Sequence, residues 1–161
     1  MANTFEKYLP GSPADGHDGQ FLGRWFCLEV DGTVIGTFQT CSGLSLELEV
    51  KELIQNNKDG KQIVMKVPGA PKFNEITLKH ALDNNWALYN WYMQVEKGGI
   101  KDARKGASVI VYQRDNTVVE RWDFEKCWPS SWKTSDLDAG SDEVMTEEVT
   151  IQHEGVTRKP S

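Results

Sequence analysis

Phe26-Cys-Leu-Glu-Val-Asp-Gly-Thr-Val-Ile-Gly-Thr-Phe-Gln-Thr-Cys-Ser-Gly-Leu-Ser-Leu-Glu-Leu48 is a hairpin that feeds a long second strand pair. Phe26, Leu28 and Val30 alternate with Cys27 and Glu29, and Asp31-Gly32 supplies two residues suited to the left-handed backbone of a tight turn. The returning strand leaves through Val34 to Phe38, and Ser42-Gly43-Leu44 redirects the chain. Beyond that point Leu46, Leu48 and Val50 alternate with Glu47 and Glu49, the pattern of a half-buried strand. Leu53 and Ile54 carry it into a polar tip, Gln55 to Gly60 with Lys58 and Asp59 at its centre, and Lys61 to Val67 returns. The apolar surplus of this long hairpin exceeds what a short hairpin covers by itself, so its strands are expected to rest on both the core and another subunit.

The remaining elements follow from spacing. Asn84 or Asn85 caps a helix over Trp86 to Lys97, and Gly98-Gly99 ends it. At about 100° per residue its polar wedge is only Asn90, Gln94 and Lys97. A circumference so largely apolar predicts a helix wedged between its own sheet and a neighbouring subunit. The C-terminal third returns to strands: Val109 to Tyr112 is apolar on both faces, Val118 to Phe124 alternates, Trp128-Pro129 marks a break, and Met145, Val149 and Ile151 lie in phase on a last strand. The expected fold is mainly β, two packed antiparallel sheets forming a sandwich or barrel with one flanking α-helix. Residues 1–22, with Pro10, Gly11, Pro13, Gly16 and Gly19, read as an extended arm ahead of a single domain over residues 23–157.

Composition narrows the function. At 161 residues and 39% hydrophobic, with six tryptophans, the chain supports one packed core. A net charge of −6 argues against a surface given over to nucleic acid. No apolar run reaches the roughly 20 residues of a membrane helix, and residues 1–20 lack a signal-peptide hydrophobic segment, which predicts cytoplasmic assembly without membrane insertion. Cys27, Cys41 and Cys127 lack paired spacing and are expected to be reduced and structural.

Motifs for chemistry are missing. His17, His80 and His153 stand in no metal-binding spacing, and Asp15-His17-Asp18 reads as an acidic loop. Gln55 to Lys66 has the start of a calcium loop but Lys66 at its twelfth position, where a bidentate acid is required. Ser42 is outside a GxSxG turn, and there is neither a Walker loop nor GxGxxG. No catalytic residue, metal or cofactor is expected. Charge is uneven: Lys97, Lys101, Arg104 and Lys105 cluster after the helix, while Thr134 to Thr157 carries seven acids, Asp136 and Asp138 among them, and no Lys or Arg. Two solvated loops account for this; the sharper reading is polar contact with a neighbouring copy or a surrounding sheath protein through Lys101, Arg104, Lys105, Asp136 and Asp138.

The hairpin block, with Pro68-Gly69, Ile76-Thr77-Leu78-Lys79, Leu88 to Trp91, Arg121-Trp122-Asp123-Phe124 and Cys127-Trp128-Pro129 in this order, resembles the tube proteins of contractile phage tails and of phage-tail-like injection systems. The resemblance covers about Phe26 to Gly155. It implies six copies closing into a ring, rings stacking into a hollow tube inside a contractile sheath, and a barrel shared around the lumen by four strands per copy. It also implies baseplate, terminator or cap partners, with protein cargo or DNA in the lumen. The segment Leu44 to Lys61 would then pack against the adjacent subunit and the next ring, with Leu44, Leu46, Leu48, Val50, Leu53, Ile54, Lys58 and Asp59 at the interface. An injection-system tube is the leading expectation and a phage tail tube the alternative, followed by the secreted ring protein of type VI secretion. A small β-barrel binder or enzyme would instead be a monomer with a concave pocket.

Overall fold

A computed structural model describes residues 25–113, 116–136, 140 and 143–160; the expected arm over residues 1–22 lies outside them, as does Asp138. Asp31 and Gly32 both take positive φ, 49° and 78°, closing β1 (Trp25–Val30) onto β2 (Thr33–Phe38) as expected of a tight hairpin. After β3 (Thr40–Ser42) come the long strands β4 (Leu46–Asn56) and β5 (Gln62–Phe73), then β6 (Ile76–Ala81), helices α1 (Ala87–Glu96) and α2 (Ile100–Ala103), and strands β7 (Lys105–Tyr112), β8 (Val118–Thr134), β9 (Thr146–Gln152) and β10 (Gly155–Lys159).

All pairings given are antiparallel, and β8 is the hub. Its first half pairs with β7 on one edge and β10 on the other, and its second half pairs with β9, which leads through β6 to β3. One layer is therefore β2-β1-β7-β8-β10 and the other β8-β9-β6-β3. Between the layers lie Leu28, Val30, Phe38, Ile76, Leu78, Val109, Phe124, Val149 and Ile151, closed by Leu88 and Trp91 of α1. Burying side chains of this size contributes about 1.5–3 kcal/mol each.

Trp128-Pro129 is not a break. The strand runs through it, because the missing N–H of Pro129 falls where the β8–β9 register slips between Pro129 and Ser131, a bulge that needs no donor there. The bend between layers sits at Lys126, with φ 51°. Nor is β9 the last strand, since β10 continues along the same edge of β8.

The helix starts as expected: Asn85 Oδ1 accepts the Ala87 N–H at 3.0 Å. It ends as Gly98, φ 84°, donates to Val95 O at 3.0 Å and Gly99 to Gln94 O at 3.0 Å, the paired bonds of a Schellman motif. The segment after Gly99 is partly helical, as α2, held by Trp91 Nε1 donating to Ala103 O at 2.7 Å. Of the helix's apolar residues, Leu88 and Trp91 are buried, whereas Trp86, at its N-terminal boundary, is 65% exposed.

Candidate functional site

The strand pair β4–β5 forms a sheet of its own. Every residue of β4 is exposed, so the half-buried strand expected here is corrected: among the described residues no strand or helix other than β5 packs extensively on it. Gly43 sets its root. It has φ 89°, and a Cβ there would stand 1.9 Å from Glu75 O, so only glycine lets the chain turn out of the body at this point. Asn74 Nδ2 donates to Ser45 Oγ at 2.7 Å across the base, and His153 Nε2 meets Asn74 O at 2.8 Å from the body.

Register shows what the hairpin presents. Opposite residues share a face, and the pairs Leu46–Phe73, Leu48–Pro71, Val50–Pro68 and Ile54–Val64 therefore lie together. The only charged pair in that row is Glu52 opposite Lys66, 3.8 Å apart. An extra residue in β5, near Gly69 and Ala70, shifts its alternation so that Phe73 and Val64 join the same stripe. Leu48 and Val50 are each 61% exposed and Ile54 65%. Leu53 is on the other face, opposite Met65. Pro68 and Pro71 withhold donors from the open edge of β5, which discourages random strand addition.

The residues expected at an interface are thus divided. Leu46, Leu48, Val50 and Ile54 form the stripe, Lys58 and Asp59 are exposed at the tip, and Leu44 is half-buried against the core. Of the charged residues, Lys101 is exposed on α2 and Asp136 is exposed after β8. Lys105 opens β7, half-buried. Arg104 is turned inward along its own chain: its Nη1 lies 3.0 Å from Glu154 Oε1, whose other oxygen meets Lys126 Nζ at 2.8 Å. Part of the basic-to-acidic attraction legible in the sequence is therefore satisfied within one copy. Pro68, Pro71, Phe73 and Val64 were missed as stripe residues because the bulge breaks the alternation that would have shown them.

A cleft of about 450 Å³ is lined by Glu29, Ser108, Arg121, Asp123 and Lys159. Arg121 bridges Glu29 and Asp123, each at 2.7 Å, while Ser108 Oγ donates to Asp123 at 2.6 Å and Lys159 lies 2.7 Å from it. Burial pushes the Asp123 carboxyl up, but hydrogen bonds from Lys159, Ser108 and Arg121 outweigh it and bring it down to about 2. These charges neutralise one another rather than wait for a substrate. Burial pushes the Cys41 and Cys127 thiols up to about 12, far from a reactive thiolate. Among the described residues no group of His, Cys, Asp or Glu is placed to hold a metal. Among the described residues no helix is long and apolar enough to cross a membrane.

The family model for the T4-like virus tail tube protein gp19 matches residues 23–157. A chain of the PVC sheath-tube complex of an extracellular contractile injection system, in its extended state, superposes with a TM-score of 0.68 at 17% identity, covering 100% of both chains. A chain of the anti-feeding prophage baseplate gives 0.68 at 17% identity over 88% of this chain and 95% of that one. Hcp1 from Flavobacterium johnsoniae gives 0.51 at 16% identity over 86% and 97%. At these identities the likeness is one of fold. No curated protein matches the sequence.

Proposed function

The chain belongs to the T4-like virus tail tube protein family, and from that premise we propose that it is the inner-tube subunit of a phage-tail-like contractile injection system. Six copies close into a ring, rings stack around a lumen, and a surrounding sheath drives the tube forward when it contracts. Baseplate and cap proteins bound its two ends, and the lumen carries protein cargo. The role is mechanical, with no residue in catalysis and no cofactor. The particle is assembled in the cytoplasm.

The observation that carries this reading is the uncovered apolar stripe of Leu46, Leu48, Val50 and Ile54 with Val64, Pro68, Pro71 and Phe73. A two-stranded sheet is marginal in water without a covered face. A patch of this kind on one surface, meeting a different surface of the next copy, generates closed rings or open stacks. The fold neighbours include a sheath-tube complex and a baseplate, which supports the same partners here. The family description, taken from a virus tail, supports a second reading, the DNA-conducting tail tube of a contractile phage. Capsid and terminase genes beside this one would establish that reading; an ATPase and toxin genes without them would exclude it.

Negative-stain electron microscopy of the purified protein over a range of concentrations tests the proposal. Six-fold rings or hollow tubes are expected from the parent protein, and none from a folded Leu48→Asp/Ile54→Asp variant. Monomers at every concentration, or tubes unaffected by those substitutions, would overturn it.

A further inference from the structure

A heterologous contact needs two different surfaces on one chain, and the hairpin is only one of them. A second exposed apolar group lies at the open end of the β9-β6 layer. Leu82 N–H donates to Met145 O at 2.8 Å, continuing the Ala81–Thr146 pair, so Leu82 and Met145 lie opposite each other past the ends of their strands. Both are 39% exposed. Trp86, 65% exposed, begins an edge-to-face aromatic row that runs through Tyr89, 5.6 Å away, to Trp132, a further 5.0 Å. The inner end of that row is fixed, because Trp132 Nε1 donates to the buried Glu147 carboxylate. Its outer end is the Trp86 indole, braced edge-on by Tyr89 and largely exposed. A large, rigid aromatic group with little rotamer freedom left to lose is what the centre of a protein interface requires.

Charge selects the occupant. Residues 80–96 and 134–157 contain no Lys or Arg, and two exposed acids flank the apolar group: Asp83 follows Leu82 in the chain, and Asp136 follows Ser135, whose N–H donates to Thr146 O beside Met145. The distal hairpin, residues 51–66, has four lysines, Lys51, Lys58, Lys61 and Lys66, against the two acids Glu52 and Asp59. Hairpin against hairpin would set these lysines against one another, which disfavours a symmetric pairing. Hairpin against the Trp86 surface matches apolar centre to apolar centre and basic flank to acidic rim.

We propose that the Leu82–Trp86–Met145 surface is the receptor on one copy for the apolar stripe of the β4–β5 hairpin of a second copy. This rests on the tube-subunit reading and names the second half of its contact. The stripe lies over Trp86, and Lys58 and Lys61 reach Asp83 and Asp136.

A mixing experiment reads the contact directly. Trp86→Asp removes the receptor and leaves the hairpin intact; Leu48→Asp/Ile54→Asp does the reverse. Each variant alone, shown folded by circular dichroism, is expected to stop at a unit smaller than a tube. Mixed in equal amounts, they should pair through the one intact hairpin and the one intact receptor. The mass by light scattering then doubles once and grows no further. A mixture whose mass does not change overturns the proposal. So does a Trp86→Asp protein that assembles like the parent while the hairpin variant does not, and in that case the tube reading survives without this receptor. If both variants assemble like the parent, the tube interface itself falls. Should Trp86→Asp not fold, Met145→Asp, at a half-exposed position beyond the strand end, replaces it with the same expected outcomes.

Discussion

Strands β7 and β4 are both rich in branched apolar side chains, and the chain treats them in opposite ways. In β7, Ala107 to Ile110 are buried in succession, with β1 on one edge and β8 on the other. In β4, the Leu46, Leu48, Val50 and Ile54 stripe is exposed throughout, with one neighbouring strand and no layer beneath. The difference lies in what surrounds each strand rather than in hydrophobicity. Strand β7 completes its apolar contacts within one copy, whereas the stripe of β4 stays open among the described residues and, in the proposed assembly, is completed by another copy. Two regions of one chain thus answer to two different free energies, that of folding and that of assembly.

The largest blow to the body should come from Glu147. It is 2% exposed, lies 2.9 Å through Oε2 from His80 Nε2 though off hydrogen-bond alignment, and accepts from Trp132 through Oε1. Glu147→Ala leaves the half-buried Trp132 indole N–H without its acceptor and removes the buried carboxylate that faces His80, and is expected to cost about 3–5 kcal/mol in denaturant unfolding. Its counterpart on the hairpin is Glu52, paired with Lys66 at 3.8 Å with both side chains well exposed. Glu52→Ala should change the monomer by less than about 1 kcal/mol. Equal losses in the two variants would break the distinction between body and hairpin.

Leu78→Ala comes next. The side chain is fully buried between the layers, and its truncation should cost about 2–5 kcal/mol. At the junction of the two regions, Gly43→Ala must either push Glu75 aside or leave φ 89°. A loss of about 1–3 kcal/mol is expected from the strained backbone. Because the hairpin leaves the body here, tube assembly should fail in this variant even where the body remains folded.

The body was the more legible region. Period-two alternation, the Asp31-Gly32 turn and the glycines after α1 identified strands and helix because each signal is local. What escaped depended on partners distant in sequence. Trp128-Pro129 reads as a break until β9 is known to slip register beside it. β10 is hidden because its short polar run, Gly155–Lys159, owes its strand to pairing with Trp122 and its neighbours. For the hairpin, alternation gave the right face of β4 and the wrong environment. A half-covered strand and a strand awaiting a second copy have the same pattern, and sequence periodicity cannot tell which solvent the apolar side meets. The receptor residues Leu82, Trp86 and Met145 were harder still, since they come from two segments far apart in the chain, the β6–α1 connection and the approach to β9, and share no period.

A smaller effect concerns acid. Asp123 titrates near 2 in the folded chain, below its ordinary range, so its contribution to stability is present above about pH 4, the unfolded value, and is lost as pH falls towards 2. The parent protein should lose stability across that window, and Asp123→Asn should flatten that part of the profile. The acidic rim and the hairpin lysines lie outside this network, so its loss separates body stability from any acid effect on assembly.

The smallest change in folding free energy is expected where the change in assembly is greatest. Leu48→Asp replaces a side chain that is 61% exposed on a strand packed, among the described residues, chiefly against β5. Monomer stability should therefore shift by no more than about 0.5 kcal/mol. Hydrogen exchange supplies the complementary reading. In the unassembled protein the β4 and β5 amides should exchange orders of magnitude faster than those of β7 and β8, since local opening of an uncovered two-stranded sheet costs little. On assembly of the parent they should become protected while the body changes little, and in Leu48→Asp they should remain fast. Slow exchange in the isolated hairpin would mean that it has a stability of its own, and the apolar stripe would no longer need a second copy to explain it.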